Sequence, residues 1–545
     1  MFWVLFHQNG THKQQKRTSR SVVLLIALCD YISKPFRLAG YPQRSKVLIC
    51  FLTGSYFPVE AGLLYLFQTV LFYKQGIVSE RLFYNFEGRI NLNILHVSLG
   101  LPPFRVGGLT RYCVDLMETQ LEQGHQASLL YPGMFTIGRT KIDAAWSGKF
   151  QTYQVINPLP LALVFGINTP ERYMRPCNPL CYRSFLTQNH FDVIHVHSFM
   201  GIHKEFFETA HELRVPMVFT THDYYPLCMK CVLVNQAGEL CINADGMICR
   251  DCNTGMGLSP LKEMVMQSPI YQKLKYRRLV TSLRKRSKSR FKAPDKLKIP
   301  SSSVTCYSAL RAYYNDILRF MNIIHCNSDV AYLVYKSFMP VSNFRILPIS
   351  HRRMLSSHTL HAKKRMDVLR IGYMGGDTFY KGLHILLEAT QQLDQAGCKN
   401  WELFLYGSDY ANCISDERIH NEGVYSYINI AAIYQNLDVI VVPSLWWETF
   451  GFVVLEALAC GVPVIASNRV GSKSFLSSCK YDLIFEGGSP VSLAKILTCM
   501  FELEIYNGIA EWAYEIDLPT ISEHTNDMLE LYHMAITLPK KALGD

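Results

Sequence analysis

From residue 91 onward the chain alternates short apolar runs rich in β-formers with longer runs of helical period, and that alternation admits few architectures. Strands separated by helices return in parallel, and a parallel sheet must be covered on both faces. "LNILHVSLG" (92–100), "ASLLYP" (127–132), "FDVIHVHS" (191–198) and "VPMVFTTHD" (215–223) read as strands of a first unit. A second series follows Arg345: strand "VLRIGYMGG" (368–376), helix "YKGLHILLEATQQL" (380–393), strand "WELFLYGS" (401–408), helix "IAAIYQN" (430–436) and strand "LDVIVVPS" (437–444). The pattern predicts two doubly wound domains, 91–340 and 341–515, joined near 341–367. A partly hydrophobic extension, 1–90, precedes them, and a helical segment, 516–545, follows with the amphipathic run "ISEHTNDMLELYHMAI" (521–536). Ligands of such sheets bind outside the carboxyl ends of the strands, so the cleft between two facing sheets is the expected site.

Within that frame, "PSLWWETFGFVVLEALACGVPVIAS" (443–467) places two acids in an almost wholly apolar run. A helix beginning after Gly451 is apolar nearly all round and therefore internal, and a carboxylate inside a protein is costly unless it is paired or binds a ligand. Glu456 needs a partner. Glu448 stands just before the helix, at the mouth of a strand, loop, helix, strand unit whose helix Gly461 ends.

Composition bounds the rest. An apolar share of 49% over 545 residues supports more than one core. The net charge of +11 is concentrated: Lys273 to Lys298 carry twelve Lys and Arg against one acid, interleaved with apolar residues as in an interfacial amphipathic helix. Seventeen cysteines, an odd number without a clean secretory signal, point to reduced thiols. Residues 47–73 are long enough to cross a bilayer, although Gly54, Pro58, Glu60 and Gly62 interrupt them. The alternatives are a buried or interfacial leader, or a leader that is not part of the natural protein. The pairs Cys228-x2-Cys231 and Cys249-x2-Cys252 have the spacing of a tetrahedral structural zinc site, with Cys241 between them.

The motifs "DVIHVHS", "TTHD", "GYMGGDTFYKGLHILLEA" and the two-acid segment, in this order, resemble the family-4 retaining glycosyltransferases. The resemblance covers about 91–540 and implies the GT-B fold, two facing Rossmann-like domains. It implies transfer of a sugar from a nucleoside diphosphate sugar to a glycan or lipid-linked hydroxyl, with configuration retained and no catalytic metal. By the same resemblance Glu448 contacts donor-sugar hydroxyls, Glu456 holds the nucleotide ribose, Lys381 meets the donor phosphates and His222 faces the sugar. The backbone of Phe450 and Gly451 opens a helix whose N–H groups suit a pyrophosphate. Gly107 and Gly108 in "RVGGLTR" resemble the family's first glycine-rich loop, and His197 is placed to line the cleft.

One departure stands out. The family's arginine five residues before the lysine is absent; Gly376 stands there, and the amides of Gly375 and Gly376 are left to approach an anion. That departure keeps a catalytically weak or inactive binding protein of the same fold in view, with a nucleotide-sugar epimerase as a further alternative. The resemblance also implies Cys228, Cys241, Cys249 and Cys252 as the zinc set, with Cys231 the substitute. Expected partners are the donor, the acceptor and an anionic membrane surface met by 271–300, without nucleic acid; the expected location is the cytoplasm, peripheral on a membrane face.

Overall fold

The computed structural model describes residues 91–538, apart from 103–104, 106, 147, 163–165, 236, 243–245, 254–263, 266–267, 269–270, 272–303, 341, 353–366, 411–415 and 427–428. The proposed span 47–73 and nearly all of the basic segment 271–300 lie outside the described residues. Among the described residues no helix is long and apolar enough to cross a membrane.

The first sheet is built from β1 (Asn93–Val97), β2 (Gln126–Pro132), β3 (Lys141–Trp146), β4 (Gln151–Ile156), β5 (Val193–Val196), β6 (Met217–Thr220), β7 (Ile323–Cys326) and β8 (Phe344–Ile346). Its order is β3-β4-β2-β1-β5-β6-β7-β8, and every neighbouring pair is parallel except β3 with β4. The antiparallel edge and the strands β7 and β8 were not visible in the periodicity. Because β8 pairs with β7, this sheet runs past residue 340.

The second sheet holds β9 (Leu369–Met374), β10 (Trp401–Tyr406), β11 (Ile419–Gly423), β12 (Val439–Val442), β13 (Val464–Ser467) and β14 (Ile484–Phe485), all parallel, in the order β11-β10-β9-β12-β13-β14. Continuous runs such as Val439–Val442 are buried throughout, as strands covered on both faces must be. The helix Leu383–Gln395 sends Leu383, Leu386, Ala389 and Leu393 into the core at the spacing of one helical face.

The closing helix, Ile521–Thr537, begins in a capping box made by Thr520 and Glu523. It crosses back to the first domain, where Tyr532 bonds Gln120 and His195 and His524 bonds Tyr112. The C-terminal segment therefore completes the first domain's core rather than only following the second.

Candidate active site

Glu448 sits where the loop after β12 turns toward the helix Phe452–Ala459. Its Oε1 accepts from Lys381 Nζ at 2.7 Å and its Oε2 accepts from Ser444 Oγ. Lys381 reaches it because Gly382 has φ +75° and lies against the carbonyl of Pro443; a Cβ at 382 would stand 1.8 Å from that oxygen. A glycine is required there, and it ties the lysine turn to the glutamate loop. The Tyr380 carbonyl accepts from the amide of Leu445 at 2.8 Å, which adds a second tie.

The glutamate loop also docks on the first domain. Thr449 Oγ1 donates to the His222 carbonyl at 2.8 Å, and Ser328 Oγ donates to the Thr449 carbonyl at 2.5 Å. Lys473 and Asp329 close a further contact at 2.6 Å. Gly108 opens the first helix of the first domain, and a Cβ there would touch the Phe452 ring at 3.4 Å. Glu448, Lys381, His222, Gly108 and the start of the helix Phe452–Ala459 thus converge from four separate segments. Gly451 begins that helix with φ +90°, and its carbonyl accepts from Ser472 Oγ at 2.9 Å.

Glu456 is buried on the helix, at 7% exposure. Its Oε1 lies 3.3 Å from His351 Nε2, and its Oε2 accepts from Tyr434 Oη at 3.3 Å. Both contacts are long. A carboxylate has about four acceptor positions, so two neighbours at this distance leave capacity for a diol.

The amide of Gly375 donates to the Tyr406 carbonyl at 3.0 Å, which corrects the expectation that it approaches an anion. The strand ladder continues one residue farther than the glycine pair suggested. Gly376 lies beyond it, and a Cβ there would meet nothing within 4 Å. His197 is buried at 1% exposure and stands behind His222, bonded to it at 3.1 Å, rather than on the surface of the cleft. Burial lowers the pKa of His222 to about 3 and raises that of the adjacent Asp223 to about 6.

Ser444, Thr449, Ser472, Tyr434 and His351 escaped the sequence reading. The first two lie inside the quoted two-acid segment and carried no signal beyond position. Tyr434 and His351 meet Glu456 only through the tertiary fold.

Cys228, Cys241, Cys249 and Cys252 line one small cavity of about 20 Å³ behind this loop. Burial pushes the Cys241 thiol up to about 11, and the thiols of Cys228, Cys249 and Cys252 push it the same way. Arg311 Nη1 donates to Cys249 Sγ at 3.8 Å. Cys231 stands apart from the cavity lining, buried, with φ +66°. The four sulfurs are grouped but open: among the described residues, ligand atoms of three or more such groups lie within 4.8 Å of one another only at His96, Cys113 and His197.

Two doubly wound domains with an acid, a lysine and a helix N-terminus gathered where they meet define the GT-B class of glycosyltransferases. Residues 106–243 match the model "Glycosyltransferase Family 4" and residues 368–502 match "Glycosyl transferases group 1", together about half of the chain. The chain belongs to the family-4 glycosyltransferases. It is 29% identical over 136 residues to a D-inositol 3-phosphate glycosyltransferase of Paenarthrobacter aurescens, a match covering 24% of this chain and 32% of that protein. It therefore spans about a third of that curated relative's length. An uncharacterised 42.6 kDa protein in the cps region of Klebsiella pneumoniae is 20% identical over 404 residues, 71% of this chain and 87% of that one. Among solved structures, sucrose-phosphate synthase from Thermosynechococcus elongatus is similar at 15% identity and a TM-score of 0.48, covering 82% of this chain and 99% of that chain.

Proposed function

We propose that the chain moves a hexose from a nucleoside diphosphate sugar to an acceptor hydroxyl with retention of configuration. The ion pair of Glu448 and Lys381 at 2.7 Å, beside the N-terminus of the helix Phe452–Ala459 and tied to His222 through Thr449, carries this reading. Cleavage of the donor builds negative charge on the departing diphosphate. Lys381, paired with Glu448, and the first N–H groups of that helix would stabilise that charge. Glu448 holds Lys381 in place and accepts from sugar hydroxyls, while Glu456 accepts from the ribose. The departing phosphate takes the acceptor proton, since the motifs supply no nucleophilic carboxylate at this position.

For the acceptor, the first domain offers a cavity of about 490 Å³ at the carboxyl ends of β2 and β4. Arg139, Arg172 and Arg175 line it, and among the described residues no acidic side chain does. That lining suits a phosphate such as a lipid-linked acceptor carries. The basic segment 271–300 would hold the enzyme at an anionic cytoplasmic membrane face. Cys228, Cys241, Cys249 and Cys252 would bind a structural zinc, and that site would brace the loop beside His222.

The test incubates the purified full chain with UDP-, GDP- and ADP-linked sugars and follows nucleoside diphosphate release. Release that disappears in Glu448→Ala supports the enzyme, and the anomeric configuration of the product decides retention. A second reading, a binding protein without turnover, is favoured by Gly376 at the arginine position; tight nucleotide binding without release would select it. Metal analysis should give one zinc per chain, lost in Cys249→Ser, and zinc-free wild-type protein would remove that part of the proposal.

A further inference from the structure

Behind His222 the first domain buries a single file of polar groups. His325 Nε2 meets the Leu347 carbonyl at 2.8 Å, and His325 Nδ1 meets Thr220 Oγ1 at 2.8 Å. Thr220 Oγ1 meets His195 Nε2 at 2.6 Å, and His195 Nδ1 meets Tyr532 Oη at 2.7 Å. Gln120 joins Tyr532 Oη at 3.2 Å to His96 Nε2 at 2.8 Å. His96 Nδ1 meets His197 Nε2 at 2.9 Å, and His197 Nδ1 meets His222 Nε2 at 3.1 Å.

The proton order along this file follows from its first member. A carbonyl oxygen only accepts, so His325 must carry its proton on Nε2. Burial holds the histidines neutral, lowering His96 and His325 to about 4 and holding His195 and His197 well below the ordinary imidazole value. A neutral imidazole with one nitrogen donating has the other accepting. His325 Nδ1 therefore accepts from the Thr220 hydroxyl, and Thr220 Oγ1, its proton used, accepts from His195 Nε2–H. His195 Nδ1 then accepts from the Tyr532 hydroxyl, which accepts in turn from the Gln120 amide nitrogen. That fixes the amide orientation and turns Gln120 Oε1 toward His96. His96 and His197 repeat the rule, and His222 ends as the Nε2–H form.

We propose that the Leu347 carbonyl, acting through this file, sets the tautomer of His222 and leaves its Nδ1 as an unshared acceptor for a donor-sugar hydroxyl. Among the described residues Nδ1 of His222 has no protein partner, and the residue is half-buried while the rest of the file is sealed. Gln120, His96, His197 and Tyr532 are positioning residues: they touch no substrate and act only through His222. Two of the links cross elements far apart in sequence, because Tyr532 lies on the closing helix and Leu347 lies just after β8, at the passage toward the second domain. His222 can then orient a hydroxyl by accepting, but it cannot donate from Nδ1 to the leaving phosphate. This inference deepens the donor reading given above and rests on it only for the identity of the hydroxyl.

The test uses the full chain labelled with ¹⁵N-histidine and two-bond ¹H–¹⁵N correlation spectra near neutral pH, with His222→Gln for assignment. The expected result is the Nε2–H form at His222, changed to a mixture of both forms in Gln120→Leu and in Tyr532→Phe. A role confined to packing would lower stability in those variants and leave the His222 ring shifts unmoved. An Nδ1–H form in the wild type overturns the proposal, as do unmoved shifts in either variant once folded. Should neither variant fold, the wild-type spectrum decides alone. A metal ion bound at His96, Cys113 and His197 would also break the file, since both ring nitrogens of each histidine are already engaged. The spectra need no substrate, so the tautomer and the sugar-transfer reading fail or stand separately.

Discussion

On the central strands of the first sheet, β1, β5, β6 and β7, the chain buries His96, His195, Thr220 and His325, each at 0% exposure. On the central strands of the second sheet, β9, β12 and β13, it buries Ile371, Ile440, Val441 and Ile465 at 1% or less. Both sheets are parallel and doubly wound, so backbone geometry does not account for the difference. The second domain is held by packing, whose energy grows with apolar area and tolerates small changes of shape. The first is held in part by hydrogen bonds that must all be made, because a buried polar group left unpartnered costs more than its bond contributes. If the tautomer proposal holds, the first domain fixes one histidine while the second contributes the Glu448–Lys381 pair.

Acid should separate the two domains most strongly. His96 and His325 have folded pKa values near 4 against 6.5 for a free imidazole, so the unfolded chain takes up their protons first. Their contribution is complete above pH 6.5 and is lost as pH falls from 6.5 toward 4. Each amounts to about 3 kcal/mol by pH 4, and His195, His197 and His222 act in the same direction. Asp223 opposes them: its folded pKa near 6 lies above the ordinary 3.8, so it favours the folded state as pH drops through that interval. One acid does not offset five histidines. Denaturant unfolding at pH 7.5, 6 and 5 should show the first domain failing while the second persists, and equal stability of both down to pH 4.5 would erase the contrast.

Single deletions should reproduce it at constant pH. His195→Leu leaves Tyr532 Oη and Thr220 Oγ1 without their shared partner in a dry core. We expect a loss of about 2–5 kcal/mol. Ile440→Val removes one methyl from the matching place in the second sheet and should cost about 1 kcal/mol. The shift in urea midpoint measures both, and comparable costs would mean that packing dominates in each domain.

How much of this was legible depended on whether the signal was local. The alternation after residue 91 located β1, β2, β5, β6, β9, β10 and β12, because strands covered on both faces are largely apolar. β7 was missed although "IIHC" has the length of β5, "VIHV", and the same histidine at its third position, so neither length nor that interruption separates the two, and the burial of His325 follows only from its bonds to Thr220 and Leu347. The edge strand β3 carries Lys141 and Asp143, which read as a loop until the antiparallel pairing with β4 is known. At the site, the two-acid segment announced an internal carboxylate, and its apolar setting was enough to require a partner. The partners Tyr434 and His351 lie 22 and 105 residues away, and no periodicity connects them to Glu456. The membership of His195 in a file reaching Tyr532 could come only from the closing helix.

A binding measurement tests the open rim of the second domain. Gly376 is the one position in its glycine turn where a side chain meets free space; a Cβ at Gly375 would stand 2.7 Å from Tyr373 Oη, and one at Gly407 would stand 2.2 Å from the Gly375 carbonyl. The Gly376 carbonyl is held by Tyr373 Oη at 2.9 Å, so the turn keeps its course when a side chain is added. Gly376→Arg should then restore a second cation beside Lys381. A charge-assisted hydrogen bond to phosphate contributes about 1.5–3 kcal/mol, which is roughly tenfold or more in Kd for a nucleoside diphosphate. Titration calorimetry of the variant against wild type and Lys381→Ala measures it. Tighter binding in the first and weaker binding in the second place the diphosphate between these two positions. Weaker binding in Lys381→Ala with no change in Gly376→Arg would move the phosphates away from the turn, toward the helix at Phe452, and leave the glycine as a matter of backbone fit alone.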